Sequence, residues 1–321
     1  MKIARIDVGG TPTTAVVEDE VVRTVDAGVL ELLAAMPDER ERMARGATGE
    51  VPLSQATLLA PVQPAAIRDF SVFEQHSEGA VMAIAGPDAS VQEAWYERPA
   101  FYFSNPHVVS GHGAAIAAPP GSQALDLELE IAVVVARRGA DVAAEDAGDY
   151  IGGYTIFNDW SARDIAAKEA RLPFGFHKTK DFASTLGPWI VTADELAAYR
   201  DGDRLDLDLK AFVNGEELGG DTLANMAWSF EELVSFSSRA SVIAPGDVIG
   251  SGTCGGGCLF ELWGRNQSFT DPPPLQPGDE VRLEAEGIGT LTNTIVASGA
   301  GLPDPPAATP GRRRHRAGSG T

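Results

Sequence analysis

The chain has 321 residues, of which 44% are hydrophobic and 22% charged, as in globular proteins with a packed core. Its 46 acidic residues outnumber its 25 basic residues, and the net charge of −21 disfavours nucleic acid and anionic lipid as partners. It has only two cysteines, Cys254 and Cys258, and no apolar run close to the roughly 20 residues of a membrane span. These features argue against a disulfide-built or membrane-embedded fold, and we expect a cytoplasmic protein.

The N-terminal residues predict a small α+β unit. Residues 2–8 and 15–25 are rich in Val and Ile and flank a Gly-Gly-Thr-Pro turn, which indicates strands. A helix is predicted over residues 28–45, in two pieces because Pro37 cannot sit in a helix interior. Residues 58–64 then have the composition of a linker, so we place a first domain at residues 1–60.

Residues 61–300 predict a larger, mainly β domain of α+β class. Strands are predicted at residues 124–137, 150–158, 189–192, 205–213, 281–285 and 290–297. Helices are predicted at residues 161–170, 194–199 and 230–237. The 35 glycines suit such a turn-dense architecture. Residues 301–321, Pro-rich and then basic, predict a disordered tail.

Three acids alternate along the first of these strands. Side chains alternate across a strand, so Asp126, Glu128 and Glu130 are predicted to share one face. The strand continues into Ala-Val-Val-Val, which indicates burial on both faces, and burying unpaired like charges is costly. A bound cation would remove that cost. The alternative, a solvated outer face of an antiparallel sheet, is equally compatible with the alternation alone.

A further acid, Asp159, follows a second apolar strand and precedes a helix. Strand ends are common positions for functional residues, so a second acid here favours the cation. The simpler interpretation is an acid at a helix N-terminus that pairs with Arg163, four residues further along.

Four ordered motifs extend this pattern. They are Leu125-Asp-Leu-Glu-Leu-Glu-Ile-Ala, Asn158-Asp-Trp-Ser-Ala-Arg-Asp-Ile, Lys178-Thr-Lys-Asp-Phe-Ala-Ser-Thr-Leu-Gly-Pro-Trp and Gly250-Ser-Gly-Thr. In this order they resemble the fumarylacetoacetate hydrolase family, and the resemblance runs from about residue 67 to residue 296. It implies a mixed β-sandwich roll of the fumarylacetoacetase C-terminal type, usually a homodimer, with a divalent cation held by acids.

Matching the family pattern residue by residue assigns three groups of site residues. The implied metal ligands are Asp69, Glu128, Glu130 and Asp159. The implied catalytic residues are His76, Glu261 and Lys180. Substrate contacts are expected at Arg163, Ser184 and Thr253. Two segments depart from the pattern: the loop at residues 253–258 is shorter, and residues 99–106 look unlike the family's Tyr- and Arg-bearing substrate segment. We therefore expect the substrate, rather than the chemistry, to differ.

Each catalytic residue also has a simpler interpretation from its local sequence. His76 lies in a polar stretch predicted as a loop, where histidines are usually only exposed. Glu261 lies in an apolar run predicted as a strand, where a lone acid needs a buried partner. Lys180 is also compatible with a surface lysine. The glycines between Cys254 and Cys258 predict a tight loop rather than a redox or metal-binding pair.

All-oxygen donors favour a hard cation, Mg²⁺ first with Mn²⁺ or Ca²⁺ as alternatives, whereas zinc would recruit His or Cys. With this cation the resemblance implies a hydrolase that cleaves a C–C bond of a 2,4-dioxo acid. The alternatives are an isomerase, decarboxylase or hydratase of 2-oxo-enoic acids, and a non-catalytic metal-binding protein on the same fold. The presence of both His76 and Glu261 favours hydrolysis, because together they would activate a water molecule.

Overall fold

The computed structural model of the chain describes residues 1–172, 174–302 and 306–308. Most of the predicted tail at residues 301–321 lies outside the described residues. The helices are α1 (Val29–Ala34), α2 (Pro37–Ala44), α3 (Glu74–Ala85), α4 (Glu93–Glu97), α5 (Arg163–Glu169), α6 (Phe230–Ser238) and α7 (Leu259–Asn266). Short 3-10 helices cover residues 53–55, 144–150, 197–199 and 223–225.

The strands are β1 (Lys2–Val8), β2 (Thr11–Glu18), β3 (Val21–Val25), β4 (Ala47–Pro52), β5 (Leu58–Leu59), β6 (Ile67–Phe70), β7 (Phe101–Ser104), β8 (Val109–Ser110), β9 (Ala115–Ala117), β10 (Leu125–Asp126), β11 (Leu129–Val135), β12 (Ile151–Asn158), β13 (Ser161–Ala162), β14 (Ser184–Thr192), β15 (Arg200–Asp201), β16 (Arg204–Leu205), β17 (Asp208–Val213), β18 (Glu216–Thr222), β19 (Val248–Gly250), β20 (Glu280–Ala285) and β21 (Gly289–Val296).

Within the described residues, one twelve-stranded sheet runs through most of the chain in the order β4-β3-β2-β1-β14-β12-β11-β19-β6-β7, with β5 and β8 attached at β1 and β14. A five-stranded sheet, in the order β18-β17-β20-β21-β9, packs on one face of it. Both antiparallel and parallel pairs occur, for example β11 with β12 and β19 with β6. The prediction of a mainly β, α+β fold is therefore confirmed.

The N-terminal strands continue the large sheet. β1 pairs with β14, where Ile3 lies opposite Ile190. The predicted linker at residues 58–64 begins with β5, which pairs with β1. The helix predicted at residues 28–45 is divided into α1 and α2, and α2 begins at Pro37 as expected. The domain division at residue 60 stays a prediction, and the sheet itself crosses that point.

Strand β11 lies at the centre of the core and is buried on both faces, as its apolar run predicted. Ile131 and Val133 pack in the cluster that contains Leu283 of β20 in the second sheet. Ala132 and Val134 pack in the opposite cluster with residues of β1, β14 and α1. Because both faces are apolar and fully covered, β11 is a rigid support for the acids at its N-terminal end.

Four local predictions were wrong. The strand predicted over residues 124–137 is interrupted between Asp126 and Leu129, giving β10 and β11. The apolar run after Cys258 is the helix α7, not a strand; its first turn is capped by the Cys258 Sγ, which accepts the Glu261 N–H at 3.4 Å. The loop predicted around His76 is the first turn of helix α3. The helix predicted at residues 194–199 is only the 3-10 turn at residues 197–199.

Candidate active site

Four acids from different strands converge at one point. Asp69 lies on β6, Glu128 just before β11, Glu130 on β11 and Asp159 just after β12. One carboxylate oxygen from each lies within 4.8 Å of the other three. All four side chains are buried, so the solvated-face interpretation of Glu128 and Glu130 is wrong. The sheet order explains the convergence, because β19 separates β6 from β11 by a single strand.

The donor atoms of this cluster fit a cation. Asp69 Oδ1, Glu130 Oε1 and Asp159 Oδ1 are buried and have no hydrogen-bond partner among the described residues. Gly250 leaves room for them, because a Cβ at that position would lie 2.5 Å from Asp69 Oδ1 and 3.0 Å from Glu130 Oε2. Buried acceptor-only oxygens without donors are suited to a metal ion that prefers oxygen ligands.

The electrostatics of three of these acids favour a bound cation. Burial, together with the charge of Asp159, raises the pKa of Asp69 to about 8. Burial and the neighbouring Asp69 raise the pKa of Glu130 well above its ordinary value, and burial also raises the pKa of Asp159. Bringing these carboxylates together in ionised form is therefore unfavourable unless a cation joins them.

Glu128 differs from the other three acids because two positively charged side chains contact it. Lys180 Nζ forms an ion pair with Glu128 and lies 2.5 Å from Asp159 Oδ2. Arg163 Nη2 lies 2.6 Å from Glu128 Oε1 and 2.7 Å from an oxygen of Asp126. Burial opposes ionisation, but the charges of Lys180 and Arg163 bring the pKa of Glu128 to about 2. Lys180 is buried, so the surface interpretation of this residue is wrong.

Asp126 has a structural role next to the site. It is fully buried, which rules out the surface position considered for it. Its carboxylate accepts hydrogen bonds from Arg163 and from the backbone N–H groups of Leu259 and Phe260, at 2.8 and 3.0 Å. It therefore links Arg163 to the N-terminus of α7. Arg163, predicted to bind substrate and alternatively to pair with Asp159, pairs instead with Asp126 and Glu128.

His76 and Glu261 face each other because α3 and α7 pack closely through glycines. A Cβ on Gly79 would lie 2.3 Å from Glu261 Cγ, and a Cβ on Gly264 would lie 1.9 Å from the Gly79 carbonyl oxygen. His76 Nδ1 lies 3.9 Å from Glu261 Oε2. Glu261 accepts hydrogen bonds from the Gly256 N–H at 2.7 Å and from Arg265 Nε at 2.9 Å.

The imidazole of His76 is held in its neutral form. Burial, together with the nearby guanidinium and ammonium groups, lowers the pKa of His76 to about 4, although Glu128 opposes this shift. The neutral ring nitrogen keeps a free lone pair that can accept a proton, although a pKa of about 4 makes it a weaker base than an ordinary histidine. Glu261 fixes the position of α7 beside this ring but is too far away for a direct hydrogen bond.

The two remaining predicted substrate contacts lie in the interior beside the acids. Ser184 begins β14, and its Oγ is buried without a hydrogen-bond partner in the described part of the chain. Thr253 follows β19 and is also buried.

Two functional candidates were missed in the sequence. The hydroxyl of Tyr102, on β7, lies within hydrogen-bond distance of both Asp69 and Asp159 and donates its single proton to one of them at a time, and burial raises its pKa well above the ordinary value. It lies in the segment judged unlike the family, so that segment does bring a tyrosine to the site. Glu169, at the end of α5, accepts hydrogen bonds from the backbone at residues 177–179, just before Lys180. In the sequence, only the position of Tyr102 between two phenylalanines could have indicated Tyr102. No local signal indicates Glu169.

A cleft of about 920 Å³ lies elsewhere, between the N-terminal strands and α2. Its arginines are already paired with acids: Arg23 with Glu18 and Glu50, and Arg40 with Asp194. It offers no convergent unpaired groups of the kind found around the four acids.

Comparisons with known proteins identify the family of this chain. Residues 67–296 match the family model described as fumarylacetoacetate (FAA) hydrolase C-terminal, and residues 1–61 match the one described as Rv2993c-like, N-terminal. The chain is 29% identical over 244 residues to the oxaloacetate tautomerase YisK of Bacillus subtilis, covering 76% of this chain and 74% of that protein. It is 27% identical over 306 residues to the fumarylacetoacetase of Oryza sativa subsp. japonica, covering 77% and 71%.

A solved structure from a similar protein has a similar fold. The crystal structure of 5-carboxymethyl-2-hydroxymuconate delta-isomerase from Mycobacterium smegmatis matches with a TM-score of 0.69 and 26% sequence identity, covering 93% of this chain and 100% of that chain. The three similar proteins thus carry three different reaction names.

In the described residues, no helix combines the length and apolar character that crossing a membrane requires.

Proposed function

The chain belongs to the fumarylacetoacetate hydrolase family, and from this premise we propose that it is a metal-dependent hydrolase that cleaves a C–C bond of a 2,4-dioxo acid. The observation that carries this choice within the family is the placement of His76. Its neutral, partly buried imidazole lies beside the acid cluster, within 4.8 Å of a Glu128 oxygen, on a helix held against Glu261.

The proposed metal ligands are Asp69, Glu128, Glu130 and Asp159, whose unpartnered oxygens fit a hard divalent cation, Mg²⁺ first. When bound, such a cation supplies Lewis-acid polarisation of the substrate's keto oxygens. We extend the proposal to a homodimer in the cytoplasm.

In the proposed reaction, His76 takes a proton from a water molecule whose oxygen bonds to the acyl carbon of the substrate. The bond from that carbon to the neighbouring methylene carbon then breaks, and its electron pair stays on the methylene side as an enolate. The protonated His76 returns the proton to this carbon, so that one water molecule is consumed and two acids are released. The His76 ring nitrogen thus holds the moving proton between the two steps.

The positive charges of the site match the proposed substrate. The Lys180 ammonium is buried next to Glu128 and Asp159, and it adds positive charge where the enolate oxygen develops. Tyr102 lies within hydrogen-bond distance of two of the metal-binding acids and keeps its proton, which orients those carboxylates. Water access is restricted because Lys180, Glu128 and Asp159 are buried, and the partly buried Tyr102 ring packs edge-on against Phe176 with a centroid separation of 5.5 Å.

A second candidate is a tautomerase or isomerase of 2-oxo acids. It is favoured by a separate observation: the acid cluster and Lys180 form one contiguous group that can stabilise an enolate without His76. Similar proteins named as an oxaloacetate tautomerase and as an isomerase support it. The two candidates therefore differ in whether His76 takes part.

The experiment is a substrate screen with the purified protein and Mg²⁺. Acylpyruvates and fumarylacetoacetate are assayed for release of two acids, and oxaloacetate for keto–enol exchange. We expect hydrolysis, and His76→Gln should lower its kcat by about 10²- to 10⁴-fold, as for loss of a general base. The matched control is His107→Gln, because His107 is an exposed histidine outside the site.

The outcomes separate the candidates. If His76→Gln hydrolyses at the wild-type rate, the water-activating role is wrong. If only keto–enol exchange is found, and it survives His76→Gln, the tautomerase replaces the hydrolase. If the protein binds Mg²⁺ but turns over none of these compounds, the non-catalytic alternative is favoured.

A further inference from the structure

A second cluster of metal-ligating side chains adjoins the four acids. It consists of His76, Cys258 and Glu128, which offer a nitrogen, a sulfur and an oxygen within 4.8 Å of one another. We propose that these three side chains form a separate site for a borderline divalent cation such as Zn²⁺, next to the all-oxygen site and sharing Glu128 with it.

The spacing of the first two donors suits tetrahedral zinc without movement of either helix. Zinc binds thiolate sulfur at about 2.3 Å and imidazole nitrogen at about 2.0–2.1 Å, which at a tetrahedral angle separates the two donors by about 3.5 Å. The His76 Nδ1 to Cys258 Sγ distance is 3.6 Å. Because α3 and α7 are locked together at Gly79 and Gly264, this spacing is built into the fold.

Glu128 can serve both sites. Its Oε1 accepts a hydrogen bond from Arg163 and its Oε2 accepts one from Lys180. Each carboxylate oxygen has about two lone-pair positions, so each keeps one for a metal ion. The chemistry of the two donor sets then separates the cations: oxygen donors suit Mg²⁺ or Ca²⁺, whereas imidazole and thiolate suit Zn²⁺.

Without a cation the Cys258 thiol keeps its proton, because burial and the charges of Asp126 and Glu128 raise its pKa well above the ordinary value, so a bound cation has to displace that proton. The Cys258 sulfur caps the N-terminus of α7 by accepting the Glu261 N–H at 3.4 Å, so it lies at the positive end of the helix. When the cation binds, the thiol proton leaves to solvent and the sulfur becomes the ligand. Cys254, four residues earlier, is also a buried free thiol but is not part of this donor cluster.

Binding at this second site has a consequence that rests on the proposed function. A metal-bound imidazole uses its free lone pair on the cation, so His76 has none left to accept a proton from water. Zn²⁺ is therefore expected to inhibit hydrolysis even when the acid site is saturated with Mg²⁺.

The test is a titration of the Mg²⁺-saturated protein with Co²⁺, which substitutes for Zn²⁺ and gives a thiolate-to-cobalt charge-transfer absorption. We expect this absorption in the wild type and in Cys254→Ser, but not in Cys258→Ser. His76→Gln keeps the thiol and removes the imidazole, so it should weaken Co²⁺ binding by more than about tenfold. Circular dichroism checks that each variant is folded.

The site is overturned if the wild type gives no charge-transfer absorption, or if the absorption persists in Cys258→Ser. Should Cys258→Ser not fold, unchanged Co²⁺ affinity in His76→Gln also overturns it. These readouts do not depend on turnover, so they stand if the hydrolase proposal fails. If the protein does hydrolyse a substrate and Co²⁺ binds through sulfur without loss of rate, only the inhibitory consequence is wrong.

Discussion

Glu169 holds the loop that carries Lys180, and its replacement provides a sharp test of the site. Its Oε2 accepts hydrogen bonds from the His177 N–H and the Thr179 Oγ1, each at 2.8 Å, and from the Thr179 N–H at 3.3 Å. Its Oε1 accepts the Lys178 N–H at 2.7 Å. The carboxylate thus fixes three consecutive residues that lead directly to Lys180.

The size of the effect follows from these contacts. In Glu169→Gln one oxygen becomes an NH₂ group, which must face a backbone N–H at residue 178 or 177. Hydrogen bonds to charged groups contribute about 1.5–3 kcal/mol each, so we expect a loss of about 2 kcal/mol in the free energy of unfolding. If the loop moves Lys180 by roughly 1 Å, kcat should fall by up to about 10²-fold.

The pH dependence has a definite sign. Burial opposes ionisation of Glu169, but the hydrogen bonds from residues 177–179 bring its pKa in the folded protein below the ordinary 4.5. A carboxyl group with a lowered folded pKa contributes stability above its unfolded pKa, and this contribution is lost as the pH falls through the folded value. The difference in unfolding free energy between wild type and Glu169→Gln should therefore shrink below about pH 4.5.

The assay is urea unfolding at several pH values together with steady-state kinetics. Asp164→Asn is the matched control, because Asp164 lies on the same helix and accepts hydrogen bonds from Ser122 and Gln123 instead. We expect the control to lose stability while keeping kcat. If Glu169→Gln loses stability but keeps the wild-type kcat, the reasoning that this clamp positions Lys180 is refuted.

Four further predictions test the site and its supports. A chelator should abolish turnover and lower the melting temperature, and Mg²⁺ should restore both, as measured by activity and thermal unfolding. Glu130→Gln should lose Mg²⁺ binding in calorimetry yet raise the metal-free unfolding free energy at pH 7, because a carboxyl whose pKa is raised by burial and by Asp69 is replaced by a neutral group. Gly79→Ala should push Glu261 away and lower hydrolysis by more than about tenfold while oxaloacetate tautomerisation, if present, is unchanged. Asp194→Asn should lower the free energy of unfolding by roughly 1 kcal/mol at pH 7, a small value because the acid is partly exposed to solvent. Below the folded pKa of Asp194 the substitution should have no effect in acid unfolding, because the hydrogen bond to Arg40 helps to lower that pKa.

The sequence predicted the acids well because their signal is local. Alternation placed Glu128 and Glu130 together, and both lie in the same cluster. Asp126 lies outside this cluster: the strand breaks at residues 127–128, and Asp126 and Glu128 share the guanidinium of Arg163. The Asn158 side chain accepts the Glu128 N–H at 2.9 Å at this break, a contact between residues thirty positions apart that no periodicity reveals.

The environment of His76 and Glu261 was less predictable. The apolar run around Glu261 is short and does not distinguish a strand from a helix, and the polar stretch around His76 does not distinguish a loop from a helix start. Their helical form depends on packing between α3 and α7, which in turn depends on Gly79 and Gly264. Tyr102 reaches the acids only because β7 pairs with β6, placing it opposite Asp69. These features come from contacts between distant parts of the chain.

The balance of charge around Glu128 explains how one fold can support several reactions. Two positively charged side chains, Lys180 and Arg163, keep Glu128 ionised. Asp69, Glu130 and Asp159 all have raised pKa values, so they need a metal ion to share a site in ionised form. Enolate chemistry needs only this group, and it is built on the rigid strands β6, β11 and β12. Water activation needs His76 in addition, which is supplied by helices that pack against those strands. In the proposed mechanism, a change at the α3–α7 contact therefore removes hydrolysis and leaves the acid cluster intact, so the two candidate reactions are distinguished at His76 and not at the acids.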